Sequence, residues 1–229
     1  MDGILLVDKP SGWSSFDVVA KVRTIIRRET GVKKPKVGHT GTLDPLATGL
    51  LVLVVGKYTK RVPELSKADK TYEVTMKLGE TSTTGDEEGG KTSVSSAQPS
   101  KEDAMRALQA FVGDIEQIPP AYSAIKVNGQ RAYKLARAGK EVKLEPRKVT
   151  IYGITNIEYA YPVVKFTAKV SSGTYIRTLV EDIGKSLGTG AYMSGLCRTQ
   201  VGMYELSDPK TVYDIGTLHT QAIESFLYS

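Results

Sequence analysis

The chain has 229 residues, 40% of them apolar and 24% charged, with a net charge of +6, one cysteine and two histidines. That is an ordinary globular composition. No apolar run approaches the ~18 residues of a membrane span, a lone cysteine rules out an internal disulfide, and so few thiols and imidazoles argue against a zinc site and fit a reducing cytoplasm. The charge is uneven: the net value is +6 over residues 1–72, −5 over 73–118, +6 over 119–149 and −1 over 150–229. Two basic segments around an acidic one suit an anionic partner such as nucleic acid, and equally suit two solvated basic faces.

In chain order, residues 3–8 read as a short buried strand, followed by the turn Lys9-Pro10-Ser11-Gly12-Trp13-Ser14-Ser15. Ser14 with Asp17 three residues on is a capping box. Phe16, Val19, Val22 and Ile26 then recur at helical spacing until Gly31 ends the helix. A basic loop, Lys33-Lys34-Pro35-Lys36, enters the segment Gly38 to Leu51, which holds His39 and Asp44 and runs into a central strand over 50–55. Between Lys57 and Ala68, Pro63 limits any helix to short pieces. Residues 71–78 alternate, with Tyr72, Val74, Met76 and Leu78 on one face of a half-buried strand.

Thr81 to Ser96 reads as a loop or edge hairpin. Ser100 and Asp103 cap the next helix, and Gly113 is expected to close it. Residues 119–149 interleave Tyr122 and Tyr133 with Lys126, Arg131, Lys134, Arg137 and Lys140, around a short helix at 133–138. Strands follow at 147–157 and 163–171, then a strand-to-helix junction, Gly173-Thr174-Tyr175-Ile176-Arg177, whose helix runs to about Leu187. From Asp208 a short helical tail is expected. Without a β-α-β rhythm, the order implies an α+β architecture around a mixed sheet.

Among chemically able groups, Asp44 leads. An Asp in a glycine-rich loop is commonly a turn residue capping a backbone N–H. Here Pro45 restricts its backbone, a buried strand stands behind it, and a lone ionised carboxylate suits covalent catalysis. Arg177 is the candidate partner that would lower its pKa and orient it, or it satisfies local carbonyls or Asp182. Tyr72 and Tyr175 read as core aromatics or as stacking platforms for an unpaired base. His39 is a loop hydrogen-bonder or an RNA contact. Cys197 beside Arg198 is a buried small residue or an activated thiol. Gly38 and Gly41 make no P-loop, and no carboxylate pair argues a glycosidase.

Five segments together resemble one family. Lys9 to Ser15, Gly38 to Leu51, Tyr72 with Leu78-Gly79-Glu80-Thr81 and Gly85 to Gly89, Pro119 to Lys126, and Gly173 to Leu179 are similar, in order, to the motifs of the bacterial TruB-type tRNA pseudouridine-55 synthases. The resemblance implies a pseudouridine synthase fold: a central mixed, largely antiparallel sheet flanked by helices and loops, in one catalytic domain over 1–229 with an RNA-clasping insertion at about 119–149. It implies isomerisation of uridine to pseudouridine at position 55 in the T-arm loop of tRNA, with no cofactor or metal, in the cytoplasm, by a monomer with no protein partner. By motif position, Asp44 is the catalytic aspartate, acting as nucleophile or as base. Tyr72 stacks on the target base, Tyr175 assists late proton removal, and Arg177 pairs with the catalytic carboxylate. His39 and Leu196 contact substrate, and Lys9 supports the loop. Longer members continue into a C-terminal PUA domain; the chain stops at Ser229, so that domain is expected to be absent. Cys197 stands where an arginine is common. A non-catalytic RNA-binding protein on the same scaffold, or a hydrolase releasing free uracil, are the competing readings.

Overall fold

The computed structural model describes residues 2–123, 125–127, 129–140, 142–207 and 212–214. In chain order its elements begin with β1 (Gly3–Lys9), α1 (Ser15–Thr30), β2 (Val37–His39), β3 (Thr48–Val55), a 3-10 turn at Gly56–Arg61, α2 (Val62–Leu65) and β4 (Lys70–Leu78). The acidic middle follows with β5 (Glu80–Ser82), β6 (Lys91–Ser93), α3 (Lys101–Gln109) and β7 (Gly113–Gln117). The second basic segment holds β8 (Lys126–Val127), β9 (Gln130–Arg131) and α4 (Ala132–Arg137). The remainder is β10 (Arg147–Ala160), β11 (Val163–Val170), α5 (Ile176–Ser186), β12 (Ala191–Val201), β13 (Tyr204–Glu205) and β14 (Val212–Asp214).

The chain forms two compact units, 1–73 with 196–229 and 74–195, and passes between them within β4 and within β12. In the first unit β3 is central. Its run of buried Leu and Val pairs antiparallel with β1, from Gly3 opposite Val55 to Lys9 opposite Gly49. β2 lies antiparallel along β3, the end of β12 joins it in parallel at Cys197 and Arg198, and β14 runs parallel to β1. A strand buried on both faces carries a continuous apolar run rather than an alternating one, and 50–55 does. Leu6, Leu50, Val52 and Val201 pack as one cluster, with Ala68, Tyr204 and Leu206 against it.

The capping box at Ser14 and Asp17 is present, and Gly31 closes α1 in the left-handed conformation, its N–H donating to Arg27 O at 3.1 Å. The buried face of α1 is Val18, Val19, Val22, Ile25 and Ile26. In the second unit β10 pairs antiparallel with both β11 and β7. Val164, Phe166, Ala168 and Val170 are the buried set of β11, as their alternation predicts. The α+β class and the mixed, largely antiparallel pairing are as expected.

Four expectations need correction. His39 lies in β2, opposite Leu53, and not in a loop. The helix after Ser100 ends at Gln109 with Ala110 as its cap; Gly113, with φ of 116°, opens β7 instead. The expected tail helix fails at Val212–Asp214, which is strand, and the rest of that segment lies outside the described residues. β12 has no counterpart among the predicted strands: its first seven residues, Ala-Tyr-Met-Ser-Gly-Leu-Cys, carry no β-branched side chain, so over that stretch the strand state owes more to pairing with neighbours than to propensity.

Gly49 is where β3 and β12 meet most closely. Its φ is 95°, and a Cβ there would overlap Arg198 O and sit 2.9 Å from Arg198 N. Both are backbone atoms with little room to retreat. Gly49→Ala is expected to lose about 3 kcal/mol from the combined strain and overlap. At roughly 2–4 °C per kcal/mol for a protein of this size, a thermal melt resolves the loss.

Candidate active site

The first unit carries Lys9, His39, Asp44, Tyr72 and Leu196; the second carries Tyr175 and Arg177.

Asp44 sits half-buried between β2 and β3, in a loop whose main chain is pinned at nearly every residue. Ala47 N–H donates to Asp44 O at 3.1 Å and closes the turn through the backbone. The hydroxyl of Ser15, the first residue of α1, accepts from Leu43 N–H at 2.8 Å and donates to Leu43 O at 3.0 Å. Gly12 N–H donates to Pro45 O at 2.8 Å, and Thr40 N–H to Val52 O at 3.0 Å. The turn after β1 and the start of α1 therefore serve as the wall on which this loop rests.

Lys9 is fully buried, and its ammonium donates to carbonyls: Trp13 O at 2.6 Å, Pro10 O at 2.9 Å and Pro45 O at 3.2 Å. Burial pushes its pKa down to about 8, opposed chiefly by the negative charge of Asp44. Its bond to Pro45 O joins the turn after β1 to the loop that carries Asp44. Lys70, also buried, is lowered to about 8 by burial and donates to the carbonyls of Ser66 and Ala68.

A folded-state pKa near 8 against 10.5 means that between those values the unfolded chain binds more protons at Lys9 than the native one. Stability contributed by this group therefore rises with pH across that window. Lys9→Met is expected to weaken that rise and, at pH 7, to cost ~1–3 kcal/mol from the carbonyls of Trp13 and Pro10 that lose this donor, Pro45 O keeping Gly12 N–H. Urea unfolding of both proteins across the window measures the two effects.

Arg198 closes the loop from the other side. It is the largest fully buried side chain among the described residues, at 1% exposure. Its Nε donates to Leu50 O at 2.8 Å, its Nη2 to Gly41 O at 3.1 Å and its Nη1 reaches Thr42 O at 3.5 Å. One guanidinium thus ties the loop to the strand behind it. The neighbouring Cys197 is not an activated thiol, because burial pushes its pKa up. Leu196 is half-buried, and its carbonyl accepts from the Thr48 hydroxyl at 3.4 Å. Tyr72 is buried in β4.

In the second unit, Tyr175 is the N-cap residue of α5 and Arg177 its second residue. Gln117, 1% exposed, holds Tyr175 at both backbone polar groups: Nε2 donates to Tyr175 O at 3.0 Å, and Tyr175 N–H donates to Oε1 at 2.8 Å. The Arg147 guanidinium lies 4.6 Å from the centre of the Tyr175 ring and donates to Gly173 O. The ring is thereby set at its backbone and across its face.

Arg177 is buried. It donates to Tyr122 O at 2.8 Å and to Thr84 O at 3.1 Å, and stands 3.6 Å from the buried carboxylate of Asp86. Asp86 is itself fixed by the Thr84 hydroxyl at 2.5 Å and by Glu88 N–H at 3.1 Å. The alternative of Arg177 satisfying local carbonyls is thus realised within this unit. Two carbonyls and a carboxylate thus hold the guanidinium.

Sequence reasoning does not single out Arg198, which holds the Asp44 loop, or Asp86, Gln117 and Arg147, which hold Arg177 and Tyr175. Asp86 lies within a matching segment, and Arg198 adjoins Cys197, so both carry some signal. No pattern marks Gln117, whose partner is 58 residues away.

The TruB family pseudouridylate synthase N-terminal domain matches residues 27–176, and the tRNA pseudouridylate synthase B C-terminal domain matches 177–227. The chain belongs to the TruB family of pseudouridylate synthases. Among its relatives in that family is the tRNA pseudouridine synthase B of Dechloromonas aromatica, 47% identical over 218 residues, which span 95% of this chain and 71% of that protein. The Phocaeicola vulgatus protein of the same name is 47% identical over 206 residues, 90% of this chain and 88% of its own. Of solved structures, a chain of the Cbf5-Nop10-Gar1 complex superposes with a TM-score of 0.72 at 30% identity, covering 94% of this chain and 53% of that one. Among the described residues no helix is long and apolar enough to cross a membrane, and no group of His, Cys, Asp and Glu could hold a metal ion.

Proposed function

We propose that this TruB-family protein isomerises uridine to pseudouridine at position 55 in the T-arm loop of tRNA, with the carboxylate of Asp44 acting at the sugar of a flipped-out nucleotide. Support comes from the pinned loop: Lys9 donates to Pro45 O and Arg198 to Gly41 O, so the main chain is held on both sides of Asp44. Relatives 47% identical over 218 and 206 residues are named tRNA pseudouridine synthase B.

The reaction breaks the N1–C1′ bond, rotates the uracil and makes a C5–C1′ bond. C5 loses a proton and N1 gains one, so product and substrate have the same composition, and no redox partner enters the balance. Asp44 carries the sugar step, as nucleophile on C1′ or as base. Arg177, already rigid, keeps that carboxylate ionised and oriented. Tyr72 stacks on the extruded base and Tyr175 assists removal of the C5 proton, with His39 and Leu196 against the substrate. Extracting a base from its stack costs a few kcal/mol, and each stacking contact returns ~1–3 kcal/mol. The whole chain acts as one catalytic body, working as a monomer in the cytoplasm, and residues 119–149 clasp the RNA backbone.

Incubation with a tRNA transcript carrying tritium at uridine C5 tests the reading. The expected result is tritium release, with pseudouridine mapped to the T-arm loop. Free uracil assigns a hydrolase instead, and binding without release assigns a non-catalytic RNA-binding protein.

A further inference from the structure

The first unit carries a strongly basic concavity that the chemistry above does not use. Outside its apolar face, α1 presents Phe16, Ala20, Arg23, Thr24 and Arg27, which recur at helical spacing along one stripe. Beyond Gly31 the chain returns past the helix end. There Lys33, Lys34 and Pro35 join Arg23, Thr24 and Arg27 around a cavity of about 310 Å³. Four of the six lining side chains are cations and none is a carboxylate.

The two carboxylates of α1 have partners of their own: Asp17 in the capping box with Ser14, Glu29 with Arg28 at 2.6 Å. Arg23 is fixed by a 2.6 Å bond from Nη2 to Val37 O, while its Nε is buried with no hydrogen-bond partner among the described residues. Its guanidinium also lies 6.0 Å from the ring centre of Phe16, which is 65% exposed. Clustered cations, an unused buried donor and a bare aromatic ring make an incomplete set. A phosphate completes the cationic part and a base or ribose the aromatic part.

We infer that this cavity and Phe16 form a second RNA-contact surface, taking backbone phosphates of the substrate tRNA at a distance from the target uridine. The inference rests on the proposed tRNA activity. Position supports it. Ser15 at the start of α1 is bonded to Leu43, beside Asp44, and Arg27 lies twelve residues along the same helix, or ~18 Å at 1.5 Å per residue. An RNA with its uridine at Asp44 has further backbone on that scale. The first basic segment of the chain, net +6, thereby acquires a role separate from that of residues 119–149.

The test compares wild type with a triple variant, Arg27→Ala, Lys33→Ala and Lys34→Ala, and with Phe16→Leu. All four side chains are exposed, so folding is not at issue. The readouts are Kd for a tRNA transcript from about 50 to 200 mM KCl, and kcat at saturating tRNA. The triple variant is expected to bind about tenfold or more weakly at low salt. Its log Kd against log salt slope falls by about 0.7–0.9 for each phosphate that is no longer neutralised, and kcat stays unchanged. The charge-conserving Arg27→Lys, Lys33→Arg, Lys34→Arg protein keeps the slope, and Phe16→Leu weakens binding without changing it. A triple variant with wild-type Kd and slope overturns the surface, as does one whose affinity falls only for polyglutamate, an anion without phosphates. Wild-type turnover is scored separately in the same samples. If wild type forms no pseudouridine, the functional reading fails. If it does and the triple variant binds normally, only this surface fails.

Discussion

Asp44→Asn folds, binds tRNA with a Kd within about threefold of wild type, and forms pseudouridine at least ~10⁴-fold more slowly, the scale expected when a nucleophile or essential base is removed. The substitution keeps the side chain's shape and removes its charge. The bonds that hold the loop's main chain survive the substitution: the turn is closed by Ala47 N–H on the Asp44 carbonyl, Leu43 is held by Ser15, and Pro45 by Gly12 and Lys9. The fold therefore tolerates what the chemistry does not. A second readout checks that the variant reports on the site. The Asp44 charge is the chief influence holding Lys9 protonated against burial, so Asp44→Asn lowers the Lys9 pKa below about 8. The pH window in which stability rises then extends downward by the same amount. Single-turnover assays give the rate and urea unfolding gives the shift. Turnover near the wild-type rate in a folded variant removes Asp44 from the mechanism.

What can be read in the chain divides by the range of the interaction. The capping boxes at Ser14 and Ser100, the alternation in β4 and β11 and the apolar run of β3 are local patterns, and each stands where its pattern puts it. Gly113 shows the limit of local punctuation: the same positive φ that ends a helix also opens a strand, and its neighbours do not distinguish the two. β12 is illegible because its state is imposed from outside, partly through the parallel register with β3 at Thr48 and Gly49. The candidate residues divide the same way. Asp44, Tyr175 and Arg177 stand in distinctive motifs. Gln117 and Arg198 bond backbone carbonyls, and an acceptor that every residue offers leaves no mark in the sequence of either partner.

Arg198 carries the second large effect, and it separates positioning from chemistry. Arg198→Met preserves much of the volume of a side chain that is fully buried, but removes every donor to Leu50, Gly41 and Thr42. Those carbonyls face the place the guanidinium leaves, where water does not readily replace it, and bonds to a charged donor contribute ~1.5–3 kcal/mol each to the folded state. The fold loses a few kcal/mol, and the loop that carries Asp44 loses its tie to β3. A displacement of about 1 Å at a reacting group costs ~10²-fold in rate. The expected result is therefore a kcat near one hundredth of wild type, with the tRNA KM almost unchanged, because Arg198 is buried and does not face solvent. Arg198→Lys keeps the charge but cannot serve three carbonyls in the planar fork, so it recovers more stability than turnover. A purely structural role predicts the opposite pattern: the folded fraction of Arg198→Met turns over at the wild-type rate, and activity follows the melting curve alone.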